Sequence, residues 1–332
     1  MVNLAQVLIR RGHEVAIAAP EGSVVPDGLT LMQIPGVLQP TAQTQDRTDP
    51  GVAESALANL WRYAREVQGQ YDLLVNFAYD RLPFALTPSF SVPVAHFVSM
   101  GSLSDRMDDV IAGLSIQFPG TLGAYSQSQA DTFAAVDSGA WEVLGFGLDM
   151  GAYEYCDRPE DYLAWVGRIS PEKGLEDAIS AALLAKRPLK IFGKLEDGAY
   201  WYGLQPSMNR ARQAVSVEYC GFLPTDELQR SLGRAQALLV TPKWTEAFGI
   251  GVVEALACGV PAIAYKRGGP AEIIADGKTG WLVEPDDVTA LAEVVGRIGQ
   301  INRRECRRQA IANYSLSVWG ERFEQWFYKV IL

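Results

Sequence analysis

The stretch YLAWVGRISPEKG, residues 162–174, decides how this chain is read. Tyr162 to Val166 is a short apolar run of the kind that forms a buried strand, and the glycine-led segment GRISPEKG (167–174) follows it directly. In an open α/β sheet, ligands bind beyond the carboxyl ends of strands, and a helix that starts after such a strand attracts phosphate. Glycine lets a ligand approach the backbone, while Arg168 and Lys173 supply a forked guanidinium and a mobile ammonium, a pair suited to a diphosphate. Taken alone, the segment reads as readily as an ordinary strand-to-helix loop with solvated charges.

Working outward, strands are expected at 162–166, 189–192, 215–219, 237–241 and 262–265, with helices over 173–186, 206–214, 225–234 and 251–258. Strands alternating with helices predict a parallel sheet with crossovers. The first half repeats the pattern, with a helix over 1–11 stopped by Gly12, strands at 14–19, 73–77, 94–98, 122–125 and 143–146, and helices over 54–68 and 128–136. Pro35 to Pro50 has no period and reads as a surface loop. Further helices are expected over 287–298, 303–312 and 316–332. Periodicity fails between 145 and 159, which sets a domain boundary near residue 150. In the last helix Trp319, Phe323, Trp326 and Phe327 share one face, which reads as a packing surface that crosses back onto the first domain.

The length of 332 residues allows two domains, and 48% hydrophobic residues provide a sizeable core. No apolar run is long enough to span a bilayer and no signal peptide is evident, so a soluble, cytoplasmic protein is expected. A net charge of −10 disfavours nucleic acid as a partner. The four cysteines are widely spaced without a CxxC pair, so they are expected to be reduced thiols, mostly buried, rather than metal ligands.

A second segment, EAFGIGVVEA (246–255), follows the strand at 237–241 and leads into an apolar helix. Glu246 and Glu254 lie eight residues apart, one in the loop and one in the helix, with Phe248, Gly249 and Ile250 offering backbone amides at the helix N-terminus. Such a glutamate also serves as an ordinary helix cap.

The order GRISPEKG, EAFGIGVVEALACGVPAIA, GGPAEII and DGKTGWLVEPDD resembles the retaining glycosyltransferases of family 4, which have the GT-B fold. The resemblance implies two Rossmann-like domains with parallel sheets facing across a cleft: an N-terminal, acceptor-side domain at 1–149 completed by helix 314–332, and a nucleotide-sugar domain at 150–313. It implies that Arg168 and Lys173 hold the donor diphosphate, that Glu246 lies by the donor sugar, and that Glu254 accepts the ribose hydroxyls. Gly167 and the amides of Phe248, Gly249 and Ile250 would line the phosphates and sugar. Gly193, Lys194, Gly221, Phe222 and Leu223 would border the nucleobase.

His96 is taken as a catalytic residue at the cleft, although counting from Pro93 puts the family's histidine nearer Ser99, which would leave His96 in the core. His13 reads as structural. Ser99, Gly101 and Ser102, within the segment Ser99–Asp109, are taken as the acceptor loop. No metal or cofactor is implied, and the pairs Asp108–Asp109 and Asp286–Asp287 read as solvated loop charges. The donor is expected to be UDP-glucose and the acceptor a small molecule. The segment VSMGSLSD is similar to that of pterin glucosyltransferases, with Phe77, Tyr79 and Phe97 available to stack on a reduced pterin or to pack in the core. A lipid, polysaccharide or antibiotic-like acceptor stays open, as does a UDP-sugar-binding remnant without turnover; oligomeric state is unknown. Family members open with a strand and a glycine-rich loop, whereas Met1 here already lies in the first helix, so the first strand of the N-terminal domain is expected to be missing. Either the numbering omits residues ahead of Met1, or the domain is truncated, in which case the donor site should persist and turnover is in question.

Overall fold

The computed structural model describes residues 1–38 and 55–332. The expected loop from Pro35 to Pro50 lies outside the described residues beyond Leu38, as does the expected helix start at Glu54. The chain divides into two compact units, Met1–Gly145 with Leu316–Leu332, and Phe146–Ser315.

The first unit begins with α1 (Val2–Arg10), whose Leu4, Ala5, Val7 and Leu8 are buried. Gly12, at φ 98°, ends it in the left-handed region. Then come β1 (Ala16–Pro20), β2 (Thr30–Ile34), α2 (Ala56–Val67), β3 (Leu74–Asn76), α3 (Arg81–Leu86), β4 (Val94–Val98), α4 (Asp105–Gln117), β5 (Leu122–Ala124), α5 (Gln127–Ala130) and β6 (Trp141–Val143). β1 and β2 form one parallel pair, and β3-β4-β5-β6 form a separate four-stranded parallel sheet. Among the described residues no strand joins the two, yet α1 serves both: Leu4 and Leu8 pack with Ala95 and Phe97 of β4, and Ala5 with Ile17 and Ala19 of β1.

The second unit carries β7 (Leu163–Val166), α6 (Leu175–Ala185), β8 (Leu189–Phe192), α7 (Gly198–Arg212), β9 (Val217–Gly221), α8 (Thr225–Gly233), β10 (Ala237–Val240), α9 (Ile250–Ala257), β11 (Ala262–Tyr265), α10 (Gly269–Ile273), β12 (Gly280–Val283), α11 (Val288–Val295) and α12 (Arg303–Tyr314). Its six parallel strands run in the order β12-β11-β10-β7-β8-β9. The chain therefore builds outward from β7 on one side and then returns to build outward on the other. The order reverses between β7 and β10, the position where open α/β sheets bind ligands.

Several boundaries differ from expectation. The helix expected over 128–136 is only α5, after which the chain continues through turns, with the Thr132 amide bonded to Gln129 and that of Phe133 to Ala130. The last strand of the first unit lies at 141–143 rather than 143–146. α4 starts at Asp105, with Asp105 and Asp108 in its first turn where a helix favours negative charge, so only the first part of the expected acceptor segment is loop. α7 begins eight residues early and carries Pro206 inside it. β2 and β12 have no expected counterpart. Cys258 and Cys306 are buried free thiols, whereas Cys156 and Cys220 are partly exposed. No described helix is long and apolar enough to cross a membrane.

The final helix, α13 (Leu316–Ile331), belongs to the first unit. Trp319, Phe323 and Trp326 join the core formed by α1 and β4, and their polar edges are matched: the Trp319 indole donates to Gly145 (3.1 Å) and that of Trp326 to Gly120 (2.8 Å). Glu324 of α13 pairs with Arg11 and, at 2.7 Å, with His13 Nε2, tying α13 to the end of α1. The Arg11 guanidinium, and then His13, hold the Glu324 carboxyl down to about 2. A depressed carboxyl contributes stability that is complete above its unfolded value and is lost as pH falls through the folded one. Glu324→Gln should therefore cost ~1 kcal/mol at neutral pH. It should also flatten the loss of stability between about pH 4.5 and 2, measured by urea unfolding across that range.

Candidate functional site

The residues singled out in the second unit converge on the loops either side of the strand-order reversal. After β7 the chain runs through Gly167 and Arg168 into a short turn, Pro171–Lys173, closed by Gly174 in the left-handed region at φ 63°. A Cβ on Gly174 would collide with the carbonyl oxygen of Thr241, at the end of β10. The two loops thus lie backbone against backbone. The Thr241 hydroxyl donates to the Gly174 carbonyl (2.8 Å), and the Lys243 amide to the Glu172 carbonyl (2.8 Å).

This stitching brings Lys173 onto Glu246. Their side chains form a direct ion pair in which each is less than one-fifth exposed (19% and 17%), so the pair is largely withdrawn from solvent. Trp244 completes the group: its indole N–H donates to Glu246 Oε2 at 3.2 Å, and its ring centroid lies 5.1 Å from the Lys173 ammonium. Arg168 is held by Glu172 (3.0 Å), whose carboxylate also accepts from Ser170 (2.7 Å), and more loosely by Glu196 (3.9 Å).

Beyond Glu246, Phe248 is buried against Phe146 and Tyr314, so its side chain is core and only its backbone faces the loop. Gly249, at φ 99°, is the N-cap of α9, and no side chain caps that end. The GGP segment seals the loop from behind. Side chains at Gly268 and Gly269 would strike the backbones of Glu246 and Phe248, and the Gly269 amide donates to the Glu246 carbonyl (2.7 Å). Ile250 is partly exposed at the start of α9. One turn on, Glu254 accepts from the Tyr153 hydroxyl (2.8 Å), and burial pushes its carboxyl above the ordinary value.

The residues expected at the nucleobase surround the ends of β8 and β9. A Cβ on Gly193, at φ 148°, would overlap the Gly167 carbonyl, so glycine is required where these two turns cross. The Lys194 carbonyl accepts from Ile169 (2.9 Å), and Tyr219 donates to the Gly193 carbonyl (2.9 Å). Gly221 turns the chain at φ 80°, leaving Phe222 75% exposed and Leu223 partly covered.

His96 requires a correction. It lies within β4, fully buried and stacked on Phe84 at 4.6 Å. Asn76 donates to its Nδ1 (3.1 Å), and Nε2 lies 2.8 Å from the Thr87 hydroxyl, which itself donates to Pro83. With both nitrogens occupied and burial pushing its pKa down to about 3, it is a neutral core histidine that cannot reach a substrate. Phe97 is likewise core, and Phe77 packs on Phe97 and Phe323, which removes two of the three rings expected to stack on an acceptor.

The loop after β4 is staked down. Ser99 is partly buried at the strand end, and Gln129 donates to the carbonyls of Val98 (2.7 Å) and Met100 (2.8 Å). The Gly101 carbonyl accepts from Tyr79 (3.0 Å), and the Ser102 hydroxyl donates to Asp108 (2.6 Å). Asp108 is thus a helix residue in a hydrogen bond rather than a loop charge. Asp286 is not a lone loop charge either: it sits at φ 68° bridged to Lys243 (3.0 Å) and Arg267 (2.7 Å), while Asp287 caps α11. Among the described residues no cluster of three or more His, Cys, Asp or Glu side chains could hold a metal ion.

Sequence reasoning missed Glu172, Glu196, Trp244 and Tyr153. Glu172 stands within the segment GRISPEKG itself, whereas Glu196, Trp244 and Tyr153 become neighbours only through the fold.

Residues 157–314 match the family model described as Glycosyl transferases group 1. An exopolysaccharide phosphotransferase of Streptomyces coelicolor is 38% identical over 144 residues, 40% of this chain and 14% of that protein. A glycogen synthase of Mycobacterium tuberculosis is 32% identical over 163 residues, 46% of this chain and 38% of that protein. The chain spans less than half the length of these curated relatives. HepE from Anabaena, solved in complex with UDP, superposes with a TM-score of 0.72 over 91% of this chain and 86% of that one at 17% identity, which shows the GT-B fold alone.

The Lys173–Glu246 pair offers a test of the site's construction. Lys173→Met leaves a half-buried carboxylate without its cation and should cost ~2–4 kcal/mol in chemical unfolding, while the Lys173→Met/Glu246→Gln double variant should recover most of that loss.

Proposed function

We propose that the chain is a retaining glycosyltransferase that moves a hexose, glucose from UDP-glucose, to a small-molecule acceptor without a metal ion. The observation that supports this most is the convergence of Arg168, Lys173, Glu246 and the uncapped N-terminus of α9 at the strand-order reversal of a sheet matched by the group 1 glycosyltransferase model. HepE was solved with UDP-glucose as well as UDP, which favours that donor.

In this reading Arg168 and Lys173 take the diphosphate, helped by the α9 N-terminus, and Glu254 takes the ribose hydroxyls. Gly193, Lys194 and the turn Gly221–Leu223 border the base. Cleavage of the glycosyl phosphate bond builds negative charge on the departing UDP and positive charge at the sugar carbon. Two preorganised cations and the α9 dipole stabilise the first, and the Glu246 carboxylate faces the second. Retention follows, as the family resemblance implies, from attack on the face the phosphate leaves, with the leaving phosphate taking the acceptor proton. The acceptor meets the loop at Ser99, Gly101 and Ser102. Of the rings considered for a pterin acceptor, Tyr79, partly buried against the core, is the one that hydrogen-bonds the loop itself, through the Gly101 carbonyl.

Calorimetric titration tests the donor site. UDP should bind the full chain, and Arg168→Ala should weaken it about tenfold or more. Release of UDP from UDP-glucose with a panel of acceptors then separates an enzyme from a binder; absence of UDP binding, or indifference to Arg168→Ala, would sink the reading.

A further inference from the structure

We infer that Trp244 is a positioning residue of the donor site, with its ring and its N–H performing separable tasks: the ring holds Lys173 and the N–H holds Glu246. The inference rests on the donor reading above. Lys173 and Glu246 satisfy each other. A diphosphate that recruits the Lys173 ammonium removes the cation from Glu246, and a carboxylate only 17% exposed is then left short of donors. Trp244 answers this directly. Its Nε1, a donor only, points at Oε2, the same oxygen that Lys173 contacts, and keeps that bond after the ammonium has turned to phosphate. The ring, 5.1 Å from Nζ, offers the ammonium a favourable surface in either position.

The backbone on both sides of Trp244 is fixed, so the side chain is held rather than merely nearby. Lys243 is anchored through Nζ to Asp177 (2.5 Å) and Asp286 (3.0 Å) and through its amide to Glu172. The Pro242 carbonyl is gripped by Arg267 (2.7 Å), and Glu246 accepts through its carbonyl from Gly269 (2.7 Å). A tryptophan that served packing alone would need neither the N–H aimed at a carboxylate nor the ring beside a cation.

Two variants separate the tasks. Trp244→Phe keeps a ring beside Lys173 and removes the N–H; Trp244→Leu removes both. Titrated into the full chain by calorimetry, UDP should bind Trp244→Phe about fivefold more weakly than the parent, because its diphosphate draws off Lys173 and leaves Glu246 without the indole donor, while UDP-glucose, whose sugar hydroxyls can donate to Glu246, should stay within about twofold. Trp244→Leu, which also removes the ring beside Lys173, should weaken both ligands about fivefold or more. Loss of both ligands in equal proportion in Trp244→Phe, or no change in either variant, overturns the inference. A ligand-independent measurement accompanies it: the Trp244 indole N–H resonance, identified by its absence in Trp244→Phe, should move in Glu246→Gln, and an unmoved signal overturns the contact. A parent that fails to bind UDP overturns the donor reading instead, and the indole signal still decides whether Trp244 holds Glu246.

Discussion

The contact on which the site depends is between two main chains, Gly174 lying on the carbonyl of Thr241. Every other feature follows from how closely the loops after β7 and β10 approach there. Lys173 and Glu246 are 73 residues apart in sequence, and a side chain at position 174 would wedge their loops apart before the charges could meet. The same device recurs around the site: Gly193 lies on Gly167, Gly268 on Glu246 and Gly269 on Phe248. Four loops are thus layered backbone on backbone without side chains between them.

This explains why the second unit was the more legible. Its central strands β7, β10 and β11 are buried almost throughout and so read as unbroken apolar runs, and its glycines stand where loops cross, so motif and geometry coincide. The first unit offers weaker signals. β3 and β5 have three residues each, too few for any period, and β2 is largely exposed, which erases the apolar run that would mark it. α5 is a single turn of four residues, too short to carry a hydrophobic period.

His96 shows the limit most clearly. In PVAHFVS it stands in an apolar strand, where a histidine is either displayed to a ligand or satisfied in the core. The choice turns on whether partners exist for both nitrogens, and they come from Asn76, twenty residues back, and Thr87, nine back. Neither spacing belongs to a strand or helix period, so only the fold could decide. Glu246 is the opposite case: its neighbours in sequence, the loop glycine and the following helix, already constrain it to a strand end, and the fold adds only its partners.

On the donor reading proposed above, those partners change what phosphate binding involves. Arg168 and Lys173 are not bare cations awaiting an anion, because Glu172 and Glu196 hold the first and Glu246 the second. An incoming phosphate must therefore exchange with carboxylates, and the affinity it gains is the difference between two ion pairs rather than the whole of one. A single phosphate can complete one exchange and leaves the other cation paired as before. A ligand with two linked phosphates completes both, and the second exchange is intramolecular, so its entropic cost is already met by the first. In a chain whose net charge is −10, pre-pairing each cation would, on that reading, discriminate against isolated anions and favour a ligand with two linked phosphates.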